Sequence, residues 1–324
     1  MDKKTILDAK PLLAIIGPTA VGKTAISLEV AKKIPINVEI ISADSMQLYK
    51  QMDIGTAKPS TSDQQEITHH FIDSIDPSED YSVGRYQEEA KQVIKDIYHR
   101  GNLPVVVGGT GLYVNALLYD YSLNALPKSS SYREELLERA KIQGLQALYN
   151  DLQNKDPEAA EKIHPNDKQR IIRALEVFYQ TGEPISKRQQ RKYSSPYNLL
   201  FFGLFMDRPL LYERIEKRVD KMIEQGLLGE VKSLLENGYT LELTAMKGLG
   251  YKEIGKYLQG EYTFDEAINI LKKDTKRFAK RQLTWFRRDP NIKWYDLTNN
   301  NTGEISNKIV EKVLKEYFEK PRNI

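Results

Sequence analysis

Cysteine is absent from this 324-residue chain. Without a thiol there is no disulfide framework, thiolate zinc site, iron–sulfur cluster or cysteine nucleophile. No apolar run approaches the roughly 20 residues that a membrane helix needs. The opening Met1-Asp2-Lys3-Lys4-Thr5 lacks the apolar stretch of a secretory signal. The expectation is a cytoplasmic protein with no membrane contact. Apolar residues make up 40% and charged residues 29%, which leaves a disordered or fibrous chain without support. The length suits one large domain or two ordinary ones.

An excess of one charge sign is also missing, since the net charge is only +3. The charges are nonetheless unevenly placed. Residues 168–192 hold seven Lys/Arg against two Asp/Glu, and residues 245–290 hold eleven against six. Two basic stretches on a nearly neutral chain suit either solvated helix faces or a polyanionic partner.

Leu12–Ile16 is a short apolar run of the kind that forms a buried parallel strand, Val38–Ser42 is a second strand candidate, and Pro104–Val107 is another buried strand. Helical periodicity fills 24–33 and 82–100, and Gly101 stands where a helix ends. Strands alternating with helices predict a doubly wound α/β sheet. The alternation stops near residue 121. Helices are predicted over 132–152, 157–163, 167–181 and 184–192, then a strand at Leu199–Met206, a helix from Pro209 to Gln225, further helices through 227–288 and a last strand at Ile292–Leu297. The expected architecture is an α/β core with a parallel sheet flanked by helices (1–122 and 198–324), which the G-x-x-x-x-G-K-[ST] loop at 17–24 makes P-loop NTPase-like, interrupted by an all-helical insertion at 123–197.

Gly17-Pro18-Thr19-Ala20-Val21-Gly22-Lys23-Thr24 fits the pattern G-x-x-x-x-G-K-[ST] between a strand and a helix. Such a loop aims backbone N–H groups and a helix N-terminus at a phosphate or diphosphate. Lys23 adds a point charge, and the Thr24 hydroxyl suits a magnesium ion. A kinase or other NTPase is the first expectation. Against it, no Asn-Lys-x-Asp run for guanine occurs, and no strand ends in a persuasive apolar run plus Asp. The second strand runs instead into Asp44-Ser45-Met46-Gln47-Leu48-Tyr49. Strand carboxyl ends line the ligand crevice of an open α/β sheet, so Asp44 belongs near the phosphate loop. It serves there either as a helix N-cap or in proton transfer or metal binding.

Taken together, the phosphate loop, Asp44–Tyr49 continuing through Asp53-Ile54-Gly55-Thr56-Ala57-Lys58-Pro59, Gly108-Gly109-Thr110-Gly111-Leu112-Tyr113, His164–Arg170 with Arg173–Val177, and Lys280–Arg287 resemble the tRNA dimethylallyltransferase (tRNA isopentenyltransferase) family in its bacterial, zinc-finger-free form. The matches occur in order from residue 12 to about residue 290. The resemblance implies transfer of a dimethylallyl group from dimethylallyl diphosphate to the exocyclic amine of the adenosine 3′ of the anticodon, with Mg2+ as cofactor. It gives Gly17–Thr24 to the diphosphate, that is Gly17, Pro18, Thr19, Ala20, Val21, Gly22, Lys23 and Thr24, with Thr24 also on the metal. It makes Arg218 a second diphosphate clamp, although the residue by itself reads as an ordinary exposed arginine. Val21 stands where the family usually has a smaller residue.

The resemblance makes Asp44, Thr110 and Arg218 catalytic. A carboxylate is far too weak to deprotonate an aromatic amine in its ground state, so Asp44 is expected to orient the amine and take its proton late. The tRNA anticodon stem-loop is assigned to Asp44, Ser45, Met46, Gln47, Thr110, Arg133, Gln169, Arg170, Ile171, Ile172, Arg173, Lys247, Lys252, Lys280, Arg281 and Arg287. The wider basic run Lys272, Lys273, Lys276, Arg277 and Arg288 suits the same backbone. Phe278, Leu283, Trp285 and Phe286 read as core rather than as base-stacking surfaces, and His69-His70 as a strand or loop feature rather than a metal pair. The chain is expected to act as a monomer.

Overall fold

The computed structural model describes residues 3–121, 130–188 and 193–319. In chain order the first unit contains α1 (Lys3–Asp8), β1 (Pro11–Ile16), α2 (Lys23–Lys33), β2 (Val38–Ala43), α3 (Thr61–Glu66), β3 (His69–His70), α4 (Val83–His99), β4 (Leu103–Gly108) and α5 (Gly111–Leu118). Next come α6 (Ser130–Ile142), α7 (Leu145–Lys155), α8 (Pro157–Lys162), α9 (Lys168–Thr181) and α10 (Ile185–Arg188). The chain then adds β5 (Asn198–Phe205), α11 (Arg208–Glu224), α12 (Leu227–Glu236), α13 (Tyr251–Leu258), α14 (Phe264–Phe286), β6 (Lys293–Asp296) and α15 (Thr302–Val313), followed by a π-helical stretch at Leu314–Glu319. Two compact units result: Met1–Leu118 with Ser195–Ile324, and Tyr119–Ser194.

The first unit is built on a six-stranded sheet of order β3-β2-β4-β1-β5-β6, parallel throughout. β1 and β2 are buried along their whole length, as expected when helices cover both faces. Apart from Glu39 and Ser42 of β2 their residues are apolar, because the chain alternates strand and helix instead of turning back on itself. Ile16 lies in register with Gly108 on one side and Gly203 on the other. The carboxyl ends of β1, β2, β4 and β5 therefore open onto a common edge. Among the described residues no helix is long and apolar enough to cross a membrane.

The opposite end of the sheet is pinned by polar groups. Glu39 near the start of β2 accepts from Arg100 Nε (2.8 Å), Arg100 Nη2 (2.7 Å) and Asn102 Nδ2 (2.7 Å), and it meets His70 Nε2 at 2.7 Å. Burial pushes the Glu39 carboxyl up, but these hydrogen bonds outweigh it and hold the pKa down at about 2. The buried Tyr317 hydroxyl donates to Leu12 O (2.9 Å) and Asn198 O (2.8 Å) and accepts from Leu200 N (3.1 Å). One side chain thus joins the Leu314–Glu319 stretch to β1 and β5.

The second unit packs Leu136, Leu148, Leu152, Ile171, Ile172 and Leu175 into a core of its own. The single helix expected over 132–152 is two. Gly144, at φ 81°, separates α6 from α7, because that region of backbone space is open to glycine and breaks the helical hydrogen-bond ladder. Asp156 caps α8 through Ala159 N (3.0 Å) and also accepts from Ser186 N (3.0 Å) and Ser186 Oγ (2.6 Å). The last four residues of the expected 184–192 helix, and the expected start of the insertion at 123, lie outside the described residues.

Candidate active site

The phosphate loop leaves the end of β1 and turns into α2. Ala20 (φ 64°) and Gly22 (φ 109°) take left-handed backbone conformations, which turn successive N–H groups inward. Gly17 has no room for a side chain, since a Cβ there would stand 2.7 Å from Leu204 O. Val21 is fully buried in the core beneath the loop, which accounts for a larger residue at that position. Lys23 Nζ donates to Gly17 O (3.0 Å) and Pro18 O (2.9 Å), folding over the loop it serves.

Two arginines of α11, one helical turn apart, face this loop. Arg218 Nη1 lies 3.3 Å from Thr19 Oγ1. Arg214 Nη2 lies 3.7 Å from where a Cβ on Gly22 would stand. Burial lowers the Lys23 pKa to about 8; Asp44 partly offsets that fall, and Arg218 adds to it. Burial and then Arg214 lower Arg218, with Asp44 again opposing. Lys23 and Arg218 thus each feel the Asp44 carboxylate beside the loop, and Arg214 adds its charge next to Arg218. A site that disfavours its own positive charges is relieved by binding an anion.

Asp44 follows β2. Its Oδ1 accepts from Met46 N (3.0 Å), closing a turn. Turn residues rather than a helix follow it, so Asp44 is not a helix cap. Thr110, immediately before α5, uses its hydroxyl to accept from Ser45 N (3.0 Å) and to reach Ser45 Oγ (3.3 Å). Its own N–H donates to Ala43 O (3.0 Å). Thr110 therefore braces the turn that carries Asp44. Met46 packs onto Gly248, with Cε 2.4 Å from where a Cβ would be, bringing the Lys247–Lys252 segment to the Asp44 turn. Gln47, which keeps part of its surface, ties the turn to its neighbours: it accepts from Ser42 Oγ (3.0 Å) and donates to Thr56 O (3.3 Å) and Ala57 O (3.4 Å).

The sequence reading overlooked two residues that build the site. Glu230 gathers the N–H groups of Asp53 (2.9 Å), Ile54 (2.8 Å) and Gly55 (3.1 Å) and the Tyr251 hydroxyl (2.6 Å). Gln282 links the phosphate loop to Gly109. Both pairings span more than 170 residues, so no local pattern announces them.

The remaining candidates divide by exposure. Gln169 and Arg170 are exposed on α9, and Arg173 is partly so. Ile171 and Ile172 are 0% and 1% exposed. They present no surface to RNA and instead hold α9 to its unit's core, which corrects their place among the RNA contacts. Arg133 (3.6 Å) and Arg173 (3.0 Å) flank the fully buried Glu176. Lys247, Lys252, Lys280, Arg281 and Arg287 are exposed. The wider basic run is less free than its composition suggests. Lys272 pairs with Asp220 (2.6 Å), Lys276 with Glu216, and Arg277 with Asp274 (3.0 Å). Of the four expected core residues only Phe286 is fully buried, while Leu283 packs at the core's margin and Phe278 and Trp285 are half-buried. His69-His70 is a short edge strand, as read.

Residues 47–289 match the family model described as IPP transferase. A tRNA dimethylallyltransferase of Natranaerobius thermophilus is 61% identical over 98% of this chain and 95% of its own length. One from Carboxydothermus hydrogenoformans is 53% identical over 93% and 97%. Among solved structures, the full-length tRNA isopentenylpyrophosphate transferase of Bacillus halodurans superposes with a TM-score of 0.72 at 44% identity, covering 96% of this chain and 97% of that one. A eukaryotic dimethylallyltransferase acting on tRNA gives 0.77 at 31% identity, over 97% and 87%. These relatives favour the transferase reading of the loop over the kinase reading.

Proposed function

The chain belongs to the IPP transferase family of tRNA dimethylallyltransferases, and we propose that its phosphate loop grips the departing diphosphate while Asp44 aligns the amine that replaces it. The reaction transfers a dimethylallyl group to tRNA. The proposed donor is dimethylallyl diphosphate, and the acceptor is the exocyclic amine of the adenosine 3′ of the anticodon. The allylic C1–O bond breaks, diphosphate leaves with the bonding pair, C1 bonds to the amine nitrogen, and the nitrogen then sheds a proton. The observation that carries this reading is the arrangement of Lys23, Arg214 and Arg218 around the loop with Asp44 as the opposing carboxylate. It stabilises negative charge developing on a leaving group and sets an acceptor beside it.

Within this reading the N–H groups of Ala20–Thr24 and Lys23 hold diphosphate oxygens, the Thr19 hydroxyl meets them beside Arg218, and Gly17 and Pro18 shape the turn. Asp44 orients the amine and takes the proton once the nitrogen is cationic. Thr110 acts by holding Ser45, and so the Asp44 turn, in place. The hydroxyl of Thr24 at the start of α2 is a donor of the kind that suits Mg2+, which takes few protein ligands and shares phosphate oxygens and water. Thr24 would hold the ion, which would supply neutralising charge to the diphosphate. Asp44–Gln47, Thr110, Arg133, Gln169, Arg170, Arg173, Lys247, Lys252, Lys280, Arg281 and Arg287 are the proposed contacts to the anticodon stem-loop. The enzyme is proposed to act as a cytoplasmic monomer.

The test is incubation with labelled dimethylallyl diphosphate, Mg2+ and unmodified tRNA, followed by nucleoside mass spectrometry. Isopentenyladenosine at the position 3′ of the anticodon supports the reading. Unmodified RNA together with tRNA-independent ATP turnover overturns it.

A further inference from the structure

The loops after β1 and β4 face each other across the site, and one buried side chain joins them. Gln282 of α14 is 6% exposed. Its Oε1 accepts from Thr19 N (2.8 Å), and its Nε2 donates to Gly109 O (3.0 Å). The partners fix the amide's orientation, since one is a donor and the other an acceptor. Neither glutamate, which has no donor, nor lysine, which has no acceptor, reproduces both bonds.

Two glycines of Gly108-Gly109-Thr110-Gly111, Gly109 and Gly111, follow from this packing. A Cβ on Gly109 would stand 2.2 Å from Gln282 Nε2, and one on Gly111 would stand 2.3 Å from Trp285 Cδ1. These glycines admit α14 to the loop. Thr19 faces Arg218 through its hydroxyl, so Gln282 takes only its backbone N–H. Thr110, the residue after Gly109, holds Ser45 beside Asp44.

From this geometry we infer that Gln282 is a positioning residue for the transfer, setting the separation between the diphosphate cradle and the turn that presents Asp44. The inference rests on the reading above and names a residue outside its machinery. Gln282 touches neither diphosphate nor amine. The cradle's other donors remain when it is removed, so donor binding survives while the reacting groups lose their alignment. Misplacement on this scale costs roughly 10–100-fold in rate.

The experiment measures single-turnover transfer to tRNA, calorimetric binding of dimethylallyl diphosphate, and melting temperature. Gln282→Ala is expected to slow transfer by roughly 10–100-fold with donor affinity near that of the unaltered enzyme. Gln282→Glu is expected to slow transfer and also to weaken donor binding, because its charge opposes the diphosphate. Gly109→Ala, which pushes on the same amide from the other side, is expected to impair transfer, but to add little once Gln282 is alanine. Unchanged turnover in Gln282→Ala, losses of Gly109→Ala and Gln282→Ala that multiply independently, or a rate loss explained wholly by donor affinity or melting overturns the inference alone. An unaltered enzyme that transfers no dimethylallyl group overturns the reading beneath it as well.

Discussion

The two ends of the central sheet treat buried charge in opposite ways. At the amino end, Glu39 is surrounded by four polar contacts, and its pKa is held near 2. At the carboxyl end, Lys23 and Arg218 are disfavoured in their charged forms, and Ala20 sits in a strained left-handed conformation. The first end is complete without a ligand. The second, on the proposed function, is where the diphosphate offsets charges that burial disfavours. Stability and function therefore reside at different edges of one sheet, and substitutions should separate them.

The sharpest break comes from Asp44→Ala, which should reduce transfer by roughly 10²–10⁴-fold while the melting temperature holds. Gel-shift titration with tRNA should show binding largely kept. A variant that loses RNA affinity in proportion to rate makes Asp44 a binding group only. Next in size is Lys23→Met. It should abolish tight donor binding without lowering the melting temperature of the free protein, because the charge it removes is one that burial disfavours. The sign follows from the lowered pKa. Between about pH 8 and the ordinary 10.5 the native lysine binds fewer protons than the unfolded one, so this residue's contribution to stability rises with pH there. Donor affinity should fall as pH rises through about 8, as calorimetry across that range would show.

Glu39→Gln should do the reverse, costing about 2 kcal/mol of stability with transfer at low temperature unchanged. The native pKa lies below the ordinary 4.5, so this contribution is fully present above about pH 4.5 and is lost as pH falls toward about 2. Melting curves of both forms should converge as the solution is acidified. The smallest effect belongs to Ala20→Gly, which should relieve roughly 1–2 kcal/mol of backbone strain, offset by glycine's greater freedom when unfolded. A melting temperature within a few degrees of the parent, with transfer retained, is expected. A large loss would mean that the Ala20 methyl itself is needed.

Much of the carboxyl edge was legible in the chain. β1, β4 and β5 are apolar runs, β2 is a largely apolar one, and the phosphate loop has its own spacing. The amino edge was not, because Glu39 meets Arg100 across 61 residues and a single glutamate in a strand carries no local mark. The Gln282 and Glu230 links escaped for the same reason, although Gln282 lies inside a segment already singled out. α15 passed unread despite Ile305, Ile309 and Val313 at helical spacing and an Asn301 side chain that caps Glu304 N. The α6–α7 break was hidden by apolar periodicity running past Gly144. The basic run around 272–277 misled in the other direction, since Asp220 and Glu216 neutralise it from a different helix.

The Tyr317 hydroxyl reaches back 305 residues to Leu12. A ribosome makes the central strand some 305 residues before this polar closure. Until the C-terminal turn emerges, the carbonyls of Leu12 and Asn198 lack that partner, and truncation before Tyr317 recreates the unfinished state permanently. Chains released early should accordingly be targets for proteolysis, even though every residue of the phosphate loop has already been translated.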